Sequence, residues 1–224
     1  MASQPSHQDA SIKNWTLWSM LISTERVIGK DKLAEVLKQA NLPQYIGNYP
    51  PENQAYGTGM QSHLARLQQA LTDIYGARGA NTILLGIGKE FAQNTVKEFL
   101  TGIVNLIISA NSLLPKATSL RNSLGQTING LNTRFDTKAK AFEENGIIYV
   151  DDPTCPHCLG RRADSAICTF QRGFLAAILE RSKAGMELIV DEVLCKAKGD
   201  ASCRYRISIA GETQTKQTDL PKSI

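Results

Sequence analysis

Residues 155–209 read CPHCLGRRADSAICTFQRGFLAAILERSKAGMELIVDEVLCKAKGDASCRYRISI, and they hold all five cysteines of the chain. Cys155-Pro-His-Cys158 has the CxxC spacing of a metal knuckle or a redox pair. Cys168 opens an apolar helical run to about Ala184, with Phe174, Leu175, Ile178 and Leu179 on its inner side. At a helix N-terminus the dipole favours thiolate, which suits a metal ligand or a reactive thiol, although buried inert cysteines are as common. Met186 to Ala197 and Ser202 to Ile209 then read as two strands turning at Gly199-Asp200. A turn centred there sets Cys195 opposite Cys203, with Cβ atoms about 5 Å apart. Glu192 is three residues from Cys195, so a regular strand points it to the other face. A bulge near Val193 would return it to the sulfurs.

Working outward, Lys138 to Val150 reads as a β-hairpin around Glu144-Asn145-Gly146, since Asn-Gly is a strong turn signal. Residues 117–133 are a more polar helix or a linker. Gly102 to Leu114 is the most apolar window, too short to span a bilayer and read as a buried helix, a pocket wall or an oligomer face. Ala80 to Leu100 is helical in period but contains Gly86 and Gly88, which together cost about 2 kcal/mol against alanine. Close helix packing or backbone approach to a ligand would explain them. Thr58 to Tyr75 forms another helix, with Leu64, Leu67, Leu71 and Ile74 on one side, broken by Gly76-Ala-Arg-Gly79. Ile12 to Ile28 is a helix carrying Trp15, Trp18 and Ile22 on one face, either core or a partner surface. A second amphipathic helix follows Asp31, with Leu33, Val36, Leu37 and Ala40 as its stripe.

Composition bounds the rest. The 224 residues are 42% hydrophobic and 21% charged, with a net charge of +4, ordinary values for a globular protein with a sizeable core. The mild basic balance lacks an aromatic-interleaved run, so direct nucleic-acid binding is not expected. The opening residues MASQPSHQDAS lack an apolar segment, so a cytoplasmic location is predicted. There, clustered cysteines favour metal or redox roles over structural disulfides. Residues 1–11 read as a disordered leader and 211–224 as a polar tail. Between them, 12–210 reads as one domain, mainly helical over 12–134 and hairpin-helix-hairpin over 135–210.

The pattern of Cys168, Gly173, Glu192-x-x-Cys195, Lys198-Gly-Asp200 and Cys203 resembles the 4-vinyl-reductase-like domain of hydrocarbon-binding proteins and aromatic-sensing regulators. Its fold is related to the transport-particle tethering subunits. The resemblance implies an α+β (mixed α/β) fold, a helical layer packed on an antiparallel sheet, here with an N-terminal helical extension. It also implies a structural zinc on Cys168, Glu192, Cys195 and Cys203. This chain adds CPHC, so Cys155, His157 or Cys158 are alternative ligands or a separate redox pair. The function implied is non-catalytic binding of a hydrophobic, aromatic or tetrapyrrole-like small molecule. Ile83, Ile87, Phe91, Ile103, Ile107, Phe170 and Phe174 are the candidate pocket. A second reading is an accessory protein for pigment handling or photosystem assembly, a homodimer through helical faces in peripheral contact with a membrane-protein complex. A cysteine redox sensor and a vinyl reductase proper rank below these, since no dinucleotide fingerprint, flavin motif or cluster-type cysteine run supplies an electron carrier.

Overall fold

A computed structural model describes residues 9–100, 116–181 and 188–209. The elements are β1 (Ser11–Lys13), α1 (Asn14–Ile28), α2 (Lys30–Gln39), β2 (Tyr56–Met60), α3 (Gln61–Thr95), α4 (Lys116–Phe135), β3 (Lys140–Glu144), β4 (Ile147–Asp152), α5 (Thr169–Arg181), β5 (Leu188–Leu194) and β6 (Cys203–Ile209). A four-stranded antiparallel sheet runs β3-β4-β6-β5, and a two-stranded ribbon pairs β1 with β2. The fold is thus mixed α/β, with helices packed on an antiparallel sheet. Among the described residues no helix is long and apolar enough to cross a membrane.

The sheet buries one face. Along β6, Cys203, Tyr205 and Ile207 are buried while Arg204, Arg206 and Ser208 are partly exposed, the period-two alternation of a half-buried strand. The outer face is polar: Arg204 Nε bonds Asp151 Oδ1 at 2.8 Å, and Arg206 Nη2 bonds Asp191 Oδ2 at 3.0 Å. Helix α5 packs on β5, and α4, whose stripe is Leu124, Ile128 and Leu131, packs on β3. Helix α3 lies across α5, and α1 covers α3.

Two glycines set that crossing. A Cβ added at Gly88 would press on the Phe170 carbonyl oxygen and come within 2.7 Å of the Phe174 nitrogen. One added at Gly173 would strike the Leu85 carbonyl and lie 3.0 Å from Leu85 Cα. The glycines therefore let two helix backbones touch, the helix-packing alternative, rather than admit a ligand. Gly86 instead faces Val27 at ordinary contact distance. Across α1 and α3 the grip is polar. Asn94 Nδ2 donates to Ser19 Oγ at 3.3 Å and to Ser23 Oγ at 3.1 Å, and Asn94 Oδ1 accepts from Arg26 at 2.8 Å.

Several expectations change. Asp9 to Ser11, read as leader, belong to the fold: Asp9 Oδ1 accepts from the Ser62 amide at 2.9 Å, and Ser11 pairs with Met60. The Trp face of α1 is interior. Trp15 is 1% exposed and packs against Phe91 and Phe135 at centroid distances of 5.6 and 6.0 Å, so it is not a partner surface. Ile74, read as core, is 39% exposed, because the break at Gly76 (φ 67°) redirects the chain just beyond it. The predicted 102–114 helix, with Ile103 and Ile107, lies outside the described residues, as do residues 1–8 and the 211–224 tail.

The first hairpin forms as expected, with Asn145 and Gly146 both at positive φ (53° and 78°), the two-residue loop that matches strand twist. Replacing Gly146 with alanine should cost about 1 kcal/mol, the penalty of a left-handed non-glycine residue. Thermal unfolding checks this; no change would mean that the turn relaxes.

Candidate metal centre

Four pieces of chain converge on one buried point. The first is the CPHC knuckle, a short 3-10 turn over Pro156–Cys158 that follows β4. Asp152, at the end of β4, shapes its approach by accepting from the Thr154 amide and hydroxyl at 2.8 and 2.7 Å. Burial raises the Asp152 carboxyl above its usual range, and the Thr154 bonds oppose that rise. The second piece is Cys168, just before α5. The third and fourth are the two arms of the β5–β6 hairpin.

The hairpin register slips between Glu192, opposite Tyr205, and Leu194, opposite Arg204. Val193 is the extra residue, so the bulge foreseen there turns Glu192 toward the sulfurs. The Lys-Gly-Asp turn also has a definable task. Gly199 sits at φ 101°, and Asp200 Oδ2 accepts from the Cys195 amide at 2.7 Å. The Lys196 amide in turn donates to Cys203 Sγ at 3.4 Å. Backbone donors aimed at sulfur favour its thiolate form.

All five cysteines are buried and none forms a disulfide. Cys158 Sγ lies 3.6 Å from that of Cys195, 3.5 Å from Cys203 and 3.1 Å from Cys168. Cys168 lies 3.6 Å from Cys155 and 3.8 Å from Cys203. Four thiolates bound at about 2.3 Å around one tetrahedral ion stand about 3.8 Å apart, close to most of these separations. Two donor sets fall within 4.8 Å of one another: Cys155, Cys158, Cys168 and Cys203; and Cys168, Glu192, Cys195 and Cys203.

Glu192 occupies a divided position. Its Oε2 accepts from the Cys168 amide at 2.8 Å, while Oε1 is buried with no hydrogen-bond partner among the described residues. Burial, then the neighbouring Cys195 sulfur, pushes its carboxyl up to about 8. An orphaned buried carboxylate oxygen beside a thiol cluster is what a cation would satisfy. The donor set therefore fits a thiophilic divalent ion of the zinc type.

His157, an alternative ligand on sequence grounds, belongs to neither set. Its ring turns the other way: Nδ1 meets Gln68 Nε2, and the ring lies 4.7 Å from that of Phe170. Burial lowers its pKa to about 4, so the imidazole is neutral. It lines an apolar cavity of about 80 Å³ between helices and sheet, together with Leu64, Phe91, Phe135, Phe170 and Phe174. Of the predicted pocket residues, Phe91, Phe170 and Phe174 are there. Ile83 and Ile87 are not among its lining; Ile87 is sealed in the core beside the glycine crossing. Gln68, Asp152 and Gln171 sit at these sites without a spacing signal that could have found them. A buried glutamine on a helix's apolar stripe was the one available cue.

Residues 150–209 match the 4-vinyl-reductase-like domain family. Among solved structures, an H-NOX protein from S. oneidensis in the Fe(II)NO ligation state aligns with a TM-score of 0.54 at 13% identity, covering 88% of this chain and 98% of that one. An Fe(II) unliganded H-NOX protein mutant from K. algicida aligns with a TM-score of 0.55 at 13% identity, covering 89% and 97%. A trafficking protein particle complex subunit 3 from Naegleria fowleri, covalently bound to palmitic acid, aligns more weakly, with a TM-score of 0.46 at 13% identity over 63% of this chain and 94% of that one. A search of the curated proteins finds no significant match. The segment that brings all five cysteines and Glu192 together is a 4-vinyl-reductase-like domain, set in a fold shared with the H-NOX proteins.

Proposed function

We propose that the chain is a non-catalytic binding protein for a hydrophobic small molecule, with a structural zinc bound beside the cavity. The observation that carries this reading is the apolar cavity between helices and sheet, walled by aromatic rings and edged by His157 and Gln171. Pockets of this kind join an apolar body to a few placed polar groups. With Gln68 Nε2 against Nδ1, the neutral imidazole of His157 keeps its proton on Nε2. It is the hydrogen-bonding group for the ligand's polar end.

The cavity is small. A single aromatic ring occupies a cavity of about 150 Å³, so binding displaces at least one lining side chain. The Phe91, Phe170 and Phe174 rings, in edge-to-face contact at 5.4 and 5.5 Å, form the wall that gives way. The zinc is structural in this reading. Four protein donors close a tetrahedral shell and leave no position for a substrate. Its donors are Cys168, Glu192, Cys195 and Cys203, with Cys155 and Cys158 in the same cluster.

Native mass spectrometry of the purified protein, followed by solvent extraction, tests the reading. One apolar molecule per chain is expected, and Leu64→Trp should abolish its retention by filling the cavity. No extractable molecule, together with no uptake of an added apolar dye, would defeat the proposal.

A further inference from the structure

From the two overlapping donor sets we infer that the CPHC knuckle is an exchangeable arm of the metal centre and a site of reversible oxidation by hydroperoxides. The inference rests on the structural-zinc reading above. Cys168 and Cys203 belong to both sets. The remaining two positions can be filled by Cys155 and Cys158, or by Glu192 and Cys195. Either set alone gives the four donors that a tetrahedral ion takes. The chain thus carries two donors more than one ion needs.

Access separates the two sets. An open groove of about 860 Å³ runs past Cys155, Pro156, Cys158, Gly160 and Arg161, and its lining includes neither Cys168, Cys195 nor Cys203. Exposure agrees: Cys155 and Cys158 are 4% and 6% exposed, whereas the other three are at 0%. A small oxidant arriving by the groove meets the knuckle sulfurs first. The replacement ligand is already in place, because Glu192 is oriented by the Cys168 amide and its Oε1 has no partner among the described residues. Withdrawal of the knuckle therefore leaves a complete shell, and the hairpin stays clamped.

The chemistry balances. With the ion resting on the Glu192 set, Cys155 and Cys158 are thiols. One sulfur attacks a peroxide oxygen and the O–O bond breaks. The departing hydroxide takes up the thiol proton as water and leaves a sulfenic acid. The second sulfur attacks the first, the S–O bond breaks, and a second water departs. Two thiols lose two electrons and two protons to form one disulfide, and hydrogen peroxide becomes two waters. The CxxC spacing holds both sulfurs within 4.8 Å, so side-chain rotation suffices and His157 keeps its place in the cavity wall.

The test uses zinc-loaded full-length protein titrated with hydrogen peroxide, read by thiol alkylation mass spectrometry and by zinc content per chain. The expected product is a Cys155–Cys158 disulfide, reversed by dithiothreitol, with one zinc retained throughout. Reduced Glu192→Gln should also hold one zinc, through the knuckle set, but lose it on oxidation. The Cys155→Ser/Cys158→Ser variant should keep zinc and resist peroxide. Oxidation of Cys168, Cys195 or Cys203 ahead of the knuckle would overturn the inference. So would zinc loss from the unmodified chain, or a reduced Glu192→Gln chain unable to hold zinc. A chain that takes up no zinc at the loading step would instead overturn the metal reading itself, a failure visible before any peroxide is added.

Discussion

Stripping the metal from the purified protein should lower its melting temperature by more than about 10 °C, the shift expected when several kcal/mol of metal-linked folding energy is lost in a domain of this size. Without an ion, the cluster gathers five sulfurs and one carboxylate in a dry interior, where ionised groups repel each other and neutral ones lose hydrogen bonds to water. The β5–β6 hairpin should suffer most. Its bulge, its 3-10 turn at Lys196–Lys198 and the loop around Gly199 all exist to aim Cys195, Cys203 and Glu192 inward. Cys203→Ser should approach the metal-free protein, because Cys203 serves both donor sets. Cys155→Ser should do far less, since the Glu192 set remains whole. Scanning calorimetry with and without a chelator measures all three. Equal curves after proven metal loss would contradict the clamp.

The second large effect is expected from Gly88→Ala. The added methyl cannot be absorbed by rotating a side chain, because what it meets is the backbone of Phe170, Gly173 and Phe174. The helices must separate, and α5 carries Cys168 at its start and Phe170 and Phe174 on the cavity wall. A loss of at least about 3 kcal/mol is expected, at the upper end for overpacking, or roughly 10 °C in melting temperature. Gly173→Ala should behave alike, since it meets the Leu85 backbone on the other side of the same crossing. Gly86→Ala is the control. Its neighbours are Val27 methyl groups at 3.5 and 3.6 Å, so it should be neutral or slightly stabilising through helix propensity. If Gly88→Ala and Gly86→Ala melt alike, the crossing is not as close as described.

Much of this was legible in the chain. Asn145-Gly146 specified its hairpin locally, because only residues tolerant of positive φ make that turn. The bulge at Val193 was legible because two chemistries conflicted: Glu192 belonged with the sulfurs, while strand periodicity sent it away. Leu33, Val36, Leu37 and Ala40 formed the expected stripe. Other features depend on contacts between distant residues. Ser11–Lys13 is too short to announce a strand, and only its pairing with Tyr56–Met60 makes it one. Cys155 and Cys158 could have formed a separate redox pair, since nothing in residues 159–167 says where that loop returns. His157 carried ligand chemistry by type, yet Gln68 and Phe170, from two different helices, hold it in the cavity wall. Ile83 and Ile87 had the right period for a pocket, but the glycine crossing draws α5 onto that stretch of α3 and closes it.

X-ray absorption at the zinc edge of the purified protein bears most directly on the metal clamp. The account predicts one zinc per chain in a four-coordinate shell dominated by sulfur at about 2.3 Å, with at most one oxygen. A protein without zinc, or with a shell of nitrogen and oxygen alone, would contradict it.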